Sequence, residues 1–166
     1  KYLNQSELSF HQRKTKDFLY YPFDPTRTEN STPLPANIYY DYTQYVISYR
    51  SPSRNLFNTR SNISYGSFYN GTKFSIQNNL SFRKQPIFNV SLRLNYDSIK
   101  LPDPYPSRDI WLITPKFEFT FTKKTFWTTY IQFSSQSENL GINSRLQWRF
   151  APLSDLYLVY NDNYYA

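Results

Sequence analysis

Apolar and polar residues take turns along much of this chain. Between residues 74 and 82 the even positions hold Phe74, Ile76, Leu80 and Phe82, interrupted only by Asn78, while the odd positions hold Ser75, Gln77, Asn79 and Ser81. Phe88, Val90, Leu92, Leu94 and Tyr96 then alternate with Asn89, Ser91, Arg93 and Asn95. The pattern returns over residues 111–122, more loosely at Trp127, Ile131 and Phe133, then over residues 140–150 and in Leu156, Leu158 and Tyr160. Successive side chains of a β-strand leave opposite faces, so a period of two predicts strands. No segment carries a 3.6-residue apolar stripe, and the chain reads as all-β. The runs reach about ten residues, the length of a tilted strand that crosses a bilayer, whereas soluble strands are usually about 5–6 residues long.

The connections sort into two kinds. Residues 51–55, 83–86, 122–125 and 151–155 are short and polar. Between them fall residues 69–72, the proline-rich stretch 97–109 and residues 136–140. Every second connection of a meander lies at the same end, so one end carries tight turns and the other varied loops. That asymmetry is typical of transmembrane barrels, with short periplasmic turns and longer extracellular loops. The longest extracellular loop is expected at residues 17–42, with Pro22, Pro25, Pro33 and Pro35, and a second at 97–109. The expected architecture is an antiparallel up-and-down transmembrane β-barrel segment over residues 1–166. It has about eight strands, the first near residues 2–13, and is part of a larger barrel.

Facing directions supply the candidate functional residues. One face is predicted to be aromatic and aliphatic. The other carries Asn, Gln, Ser and Thr with a set of cations: Arg60, Arg83, Arg93, Lys116, Arg145 and Arg149. In an outer-membrane barrel the apolar face meets lipid and the polar face lines the interior; in a soluble barrel the two are reversed. Aromatic residues near the ends of the runs (Phe74, Phe82, Tyr96, Trp111, Trp127, Trp148 and Tyr160) favour lipid outside, as interfacial girdles. A basic interior would favour small anionic solutes, unless the cations pair with carboxylates or simply hydrate.

Composition tightens this reading. Aromatic residues make up 20% of the 166 positions, with 17 Tyr and 14 Phe, yet the whole hydrophobic set is only 39%. Alternation reconciles the two figures, because the polar face and the loops supply the hydrophilic remainder. No stretch approaches the ~20 apolar residues of a membrane helix, and disordered chains are poor in aromatics. With no Cys, disulfide scaffolds, thiolate zinc sites and cysteine nucleophiles are excluded. The net charge of +7 permits anionic lipid, nucleic acid or an acidic partner and selects none. The sequence has no Met and starts at Lys1 without a signal-peptide pattern, which reads as a mature or partial chain.

Residues 143–164, NSRLQWRFAPLSDLYLVYNDNY, resemble the closing part of a family of Bacteroidetes outer-membrane barrels known for an N-terminal periplasmic carbohydrate-binding family 9-like domain. The resemblance rests on Asn143, Arg145, Trp148, Arg149, Pro152, Asp155, Leu156, Val159, Tyr160 and Asn161. Upstream it adds Gly71 after Tyr69, Leu101-Pro102 after an Asn-Tyr strand, and Tyr130-Ile131-Gln132 before Ser134. It spans residues 64–164. It implies location in the outer membrane of a Gram-negative bacterium and a barrel longer than this chain, with at least one further strand. The family's carbohydrate-binding domain has no counterpart here, so the resemblance implies no sugar binding.

Catalysis finds little support. His11 is the only histidine, in a polar stretch beside Gln12 and Arg13, and nucleophile–base or metal sets lack members. Asp97, Asp103 and Asp109 recur every sixth residue, whereas calcium loops place ligands at every second. Nucleic-acid platforms put aromatics and cations on one face, and here they are predicted on opposite faces. The expected protein is therefore a non-enzymatic outer-membrane barrel without cofactor or metal, in contact with lipid. It acts as a scaffold or a subunit with other outer-membrane or periplasmic proteins. The alternatives are a passive or gated pore for small anionic solutes, and a soluble adhesin-like sheet protein.

Overall fold

In a computed structural model, which describes residues 5–165, the chain is one sheet of nine antiparallel strands. They are β1 (Glu7–Leu19), β2 (Ile38–Arg50), β3 (Phe57–Phe68), β4 (Gly71–Lys84), β5 (Phe88–Lys100), β6 (Arg108–Thr122), β7 (Thr125–Ser134), β8 (Asn139–Ala151) and β9 (Ser154–Tyr165). Each strand pairs only with its neighbours in sequence, giving an up-and-down meander. No ladder joins β1 to β9 among the described residues, so the sheet is open. Strand lengths run from 10 residues in β7 to 15 in β6.

The register carries one mainly apolar face across the sheet, broken near the loop end of β1 and β2 by Lys14, Lys16 and Asp41 on the Phe10–Ile47 side. Ile47 lies opposite Ile63, Ile63 opposite Ile76, Ile76 opposite Tyr96, and Tyr96 opposite Trp111. Farther along, Ile131 faces Ile142, and Trp127 faces Leu146, which faces Leu158. Because one layer covers nothing, many of these side chains stay bare, among them Phe10, Ile47, Phe57, Tyr65, Trp111 and Leu158.

Several boundaries differ from the sequence expectation. The count is nine strands rather than about eight. The first strand lies at Glu7–Leu19 instead of residues 2–13, and its expected start at Tyr2 falls outside the described residues. Residues 13–17 lack apolar alternation, but the ladder to β2 carries them, with Lys14 opposite Thr43 and Lys16 opposite Asp41. The expected loop 17–42 therefore shrinks to residues 20–37, both flanks being strand. The loop 97–109 shrinks to residues 101–107, which hold Pro102, Pro104 and Pro106. Residues 69–70 form a connection as tight as the opposite turns at 123–124 and 152–153.

Two glycines mark close backbone approaches. A Cβ on Gly66 would overlap the Thr43 carbonyl oxygen and the Gln44 Cα. Beyond this point the β2–β3 ladder stops, and the Ser67 hydroxyl accepts from the Thr43 amide at 2.7 Å. At Gly71, after a Tyr69 with φ of 50°, a Cβ would overlap the Lys100 carbonyl.

Candidate functional site

The polar face is the side opposite the Ile47–Ile63–Ile76 row. All six predicted cations lie on it, and the structure divides them. Arg50, Arg60, Asn79, Arg93 and Thr114 form one cross-strand row over β2 to β6. Arg60 and Arg93 are exposed and have no hydrogen-bond or ion-pair partner among the described residues. They flank a groove of about 300 Å³ whose remaining walls include Asn62, Gln77 and Asn95. The other four are engaged. Lys116 pairs with Glu118 at 2.7 Å, and Glu118 also accepts from Asn89 at 2.6 Å. Arg149 pairs with Asp155 across the β8–β9 turn at 3.1 Å. Arg83 donates to the Ser53 carbonyl at 3.0 Å, and Arg145 lies over the Tyr157 ring at 5.7 Å.

At the loop end the same face changes character. Tyr40, Tyr42 and Phe68 stand on it and pack around Tyr69, with ring centroids 5.2, 5.5 and 4.7 Å from the Tyr69 ring. Phe23 of the β1–β2 connection joins them at 5.9 Å. The expected clean separation of aromatics from polar groups therefore fails here, because the connection supplies apolar cover. Tyr69 donates to Asp17 at 3.2 Å. Burial, the nearby Tyr42 and Asp17, and that hydrogen bond push its phenol well above the usual range. Leu19, Leu34, Ile99 and Leu101, most of the buried apolar side chains, also belong to this end.

The β1–β2 connection is ordered from within and tethered from afar. Asp24 accepts from the Thr26 and Thr28 amides and from the Ser31 hydroxyl at 2.7–2.8 Å. Burial alone would raise the Asp24 carboxyl, but the bonds from Ser31, Thr26 and Thr28 together outweigh it and hold it below the usual carboxylate range. A short bridge pairs Phe23 with Leu34, and both Thr26 and Leu34 are fully buried. Arg108, at the start of β6, donates to the Arg27 carbonyl at 3.1 Å and to those of Ser135 and Gln136 at 3.4 and 3.3 Å. One guanidinium thus joins the first connection to the β7–β8 connection. The connection crosses the polar face as a cap over that end.

A second groove, about 380 Å³, opens beside the cap between β7, β8 and β9. Gln132, Asn139, Asn143, Asn161, Asn163 and Tyr130 line it, so its walls offer uncharged donors and acceptors. No family model, curated protein or solved structure matches the chain. The residues themselves carry the rest. Among the described residues no cluster of three or more His, Asp or Glu is placed to hold a metal.

All seven predicted girdle aromatics lie on the apolar face. Phe74, Tyr96 and Trp111 meet near the loop end, with centroids 6.3 and 4.3 Å apart along the chain of contacts. Phe82 meets Phe88, which meets Phe119, which stacks on Trp127, at 5.5, 6.0 and 5.4 Å near the turn end. Trp148 packs with Phe150 at the same end. Tyr160 is different: it stands mid-strand in β9 and donates to Asp162 at 3.0 Å. Sequence reasoning missed Arg108, whose single cation beside a proline-rich loop gave no pattern. It also missed the amide groove, although the alternate positions Asn161 and Asn163 were its signal.

Proposed function

We propose that this chain forms part of the wall of a transmembrane β-barrel in the outer membrane of a Gram-negative bacterium. Its apolar face meets lipid and its polar face lines the interior. In this reading it acts without enzymatic activity, as a scaffold or as a subunit among other outer-membrane or periplasmic proteins. The carrying observation is the single layer itself, nine long strands with a bare, mainly apolar face that Lys14, Lys16 and Asp41 near the loop end of β1–β2 and Asp162 in β9 interrupt with charge. A soluble domain covers such a face with a second layer, because large bare apolar patches drive association.

Spacing supports the same reading. Phe74 and Phe82 in β4 stand in the two aromatic bands, about 27 Å apart at roughly 3.4 Å per residue. Tilted by ~40°, that separation becomes roughly 20 Å, comparable to the ~25 Å apolar band of outer-membrane barrels. The test is extraction: the protein is expected to stay with outer membranes through alkaline washing and to need detergent for release. Recovery in the aqueous phase without detergent ends the reading and favours the soluble sheet protein.

Within the barrel reading the capped end favours a scaffold over an open conduit, since the β1–β2 connection lies over one mouth of the polar face. A scaffold co-purifies in fixed stoichiometry with other outer-membrane components after mild detergent, and a solitary species counts against it. The unpaired Arg60 and Arg93 favour the second reading, a pore for small anions. Planar-bilayer conductance that depends on Arg93 supports the pore, and electrical silence of correctly inserted protein removes it.

A further inference from the structure

The two open edges of the sheet run the same way. β1 rises from Glu7, opposite Arg50 at the turn end, to Leu19 at the loop end, and β9 rises from Ser154 at the turn end to Tyr165 at the loop end. This follows from the meander: with nine strands, the first and last share a direction. Direct contact between them would be a parallel pair, whereas bacterial single-chain outer-membrane barrels are built of an even number of antiparallel strands.

The same parity restricts copies of the chain. Two copies inserted the same way up offer four rising edges, so every edge pairing between them is parallel. An antiparallel pairing needs one copy upside down, which would place the capped end of one and the turn end of the other on the same side of the membrane. Neither self-closure nor a ring of identical copies completes an antiparallel wall. Yet in lipid the edges cannot stay open, because the hydrocarbon holds no water to pair with a bare amide or carbonyl.

We infer that the wall is completed by an odd number of further strands, alternating in the same way and supplied by sequence outside residues 1–166. The strand beside β9 and the strand beside β1 both run downward, from loop end to turn end. The inference rests on the barrel reading above and adds the parity, the direction and the exclusion of a second copy. The strand beside β9 places apolar side chains next to Leu156, Leu158 and Tyr160 on the lipid side, and polar or small ones next to Tyr157, Asn161 and Asn163.

The edge itself is the place to test it. A photo-crosslinking amino acid, p-benzoylphenylalanine, is placed at Tyr157 and separately at Asn161 in the full-length protein in its own outer membrane, and the adducts are mapped by mass spectrometry. Both side chains are on the polar face of β9, within reach of the facing residue of a neighbouring strand. The expected adducts join a peptide outside residues 1–166, with the Tyr157 probe reaching a higher-numbered position than the Asn161 probe, as antiparallel pairing requires. Adducts to β1, whether of the same chain or of another copy, overturn the inference, as does the opposite order or attachment to lipid alone. Membrane retention is measured on the same samples. Release into the aqueous phase sinks the barrel reading and this inference with it, whereas a β9–β1 adduct in membrane-retained protein sinks this inference alone.

Discussion

At the loop end of the polar face, Arg108 reaches two connections, Tyr69 meets four rings and Asp24 accepts from three residues. Toward the turn end, Arg60 and Arg93 project from the same face with no partner among the described residues. Apart from the β2–β3 ladder, which stops at Gly66, the strands pair in both regions, so the difference in side-chain partners comes from what covers the face. Where the β1–β2 connection excludes water, each polar group needs a protein partner, because an unsatisfied buried group costs about 1–3 kcal/mol. Where water stays, a cation needs none and remains available to solutes. One face thus carries a fastened region and a receptive one.

The largest effect is expected from unfastening the cap. Arg108→Ala removes the donor to both connections and should lower stability by about 3 kcal/mol, since hydrogen bonds to charged groups contribute about 1.5–3 each but share one side chain here. Chemical unfolding in detergent measures the loss, and cleavage by trypsin after Arg27 should quicken. An unchanged cleavage rate would show that the guanidinium does not hold the cap. Next comes Gly66→Ala, which pushes a methyl group into the Thr43 and Gln44 backbone. A loss of about 2 kcal/mol is expected, within the range for overpacked sites, and Gly66→Ala behaving like wild type would mean the strands separate freely there.

Asp24→Ala leaves the Thr26 and Thr28 amides without their acceptor and should cost about 1 kcal/mol. Its pH behaviour follows from the depressed carboxyl. The folded value lies below the unfolded one, so Asp24 contributes fully above the ordinary aspartate range of about 4 and loses its contribution as pH falls through the folded value. A stability-against-pH curve for the wild type should therefore fall in acid more steeply than that of Asp24→Ala, and parallel curves would remove the assignment. The smallest effect on folding is expected at the receptive region. Arg93→Ala should change stability by no more than about 0.5 kcal/mol, as for surface changes away from special features. Any anion conductance should fall in the same variant, which separates its role from that of Arg108.

Alternation made β4, β5, β6 and β8 legible, because Phe74, Leu92, Phe117 and Leu146 announce one face at period two, with Asn78 and Ser144 as breaks. It failed in β1, where Arg13, Lys14, Lys16 and Asp17 sit in a strand held by β2 rather than by its own pattern. The six cations were found by parity alone, but parity is blind to partners, so Lys116 and Arg93 looked equivalent until Glu118 appeared beside one of them. The cap was beyond reach for another reason. Arg108 meets Arg27 across 81 positions, and no local period encodes a contact that long.

That distance has a consequence for the order of assembly. Each strand needs only the hairpin before it, so the sheet can zip up turn by turn from contacts that are close in sequence. The fastening between Arg27, Arg108 and Gln136 cannot form until the chain through the β7–β8 connection is in place. Its closure is then a late event, and the fastened cap becomes a record that the first seven strands have come together.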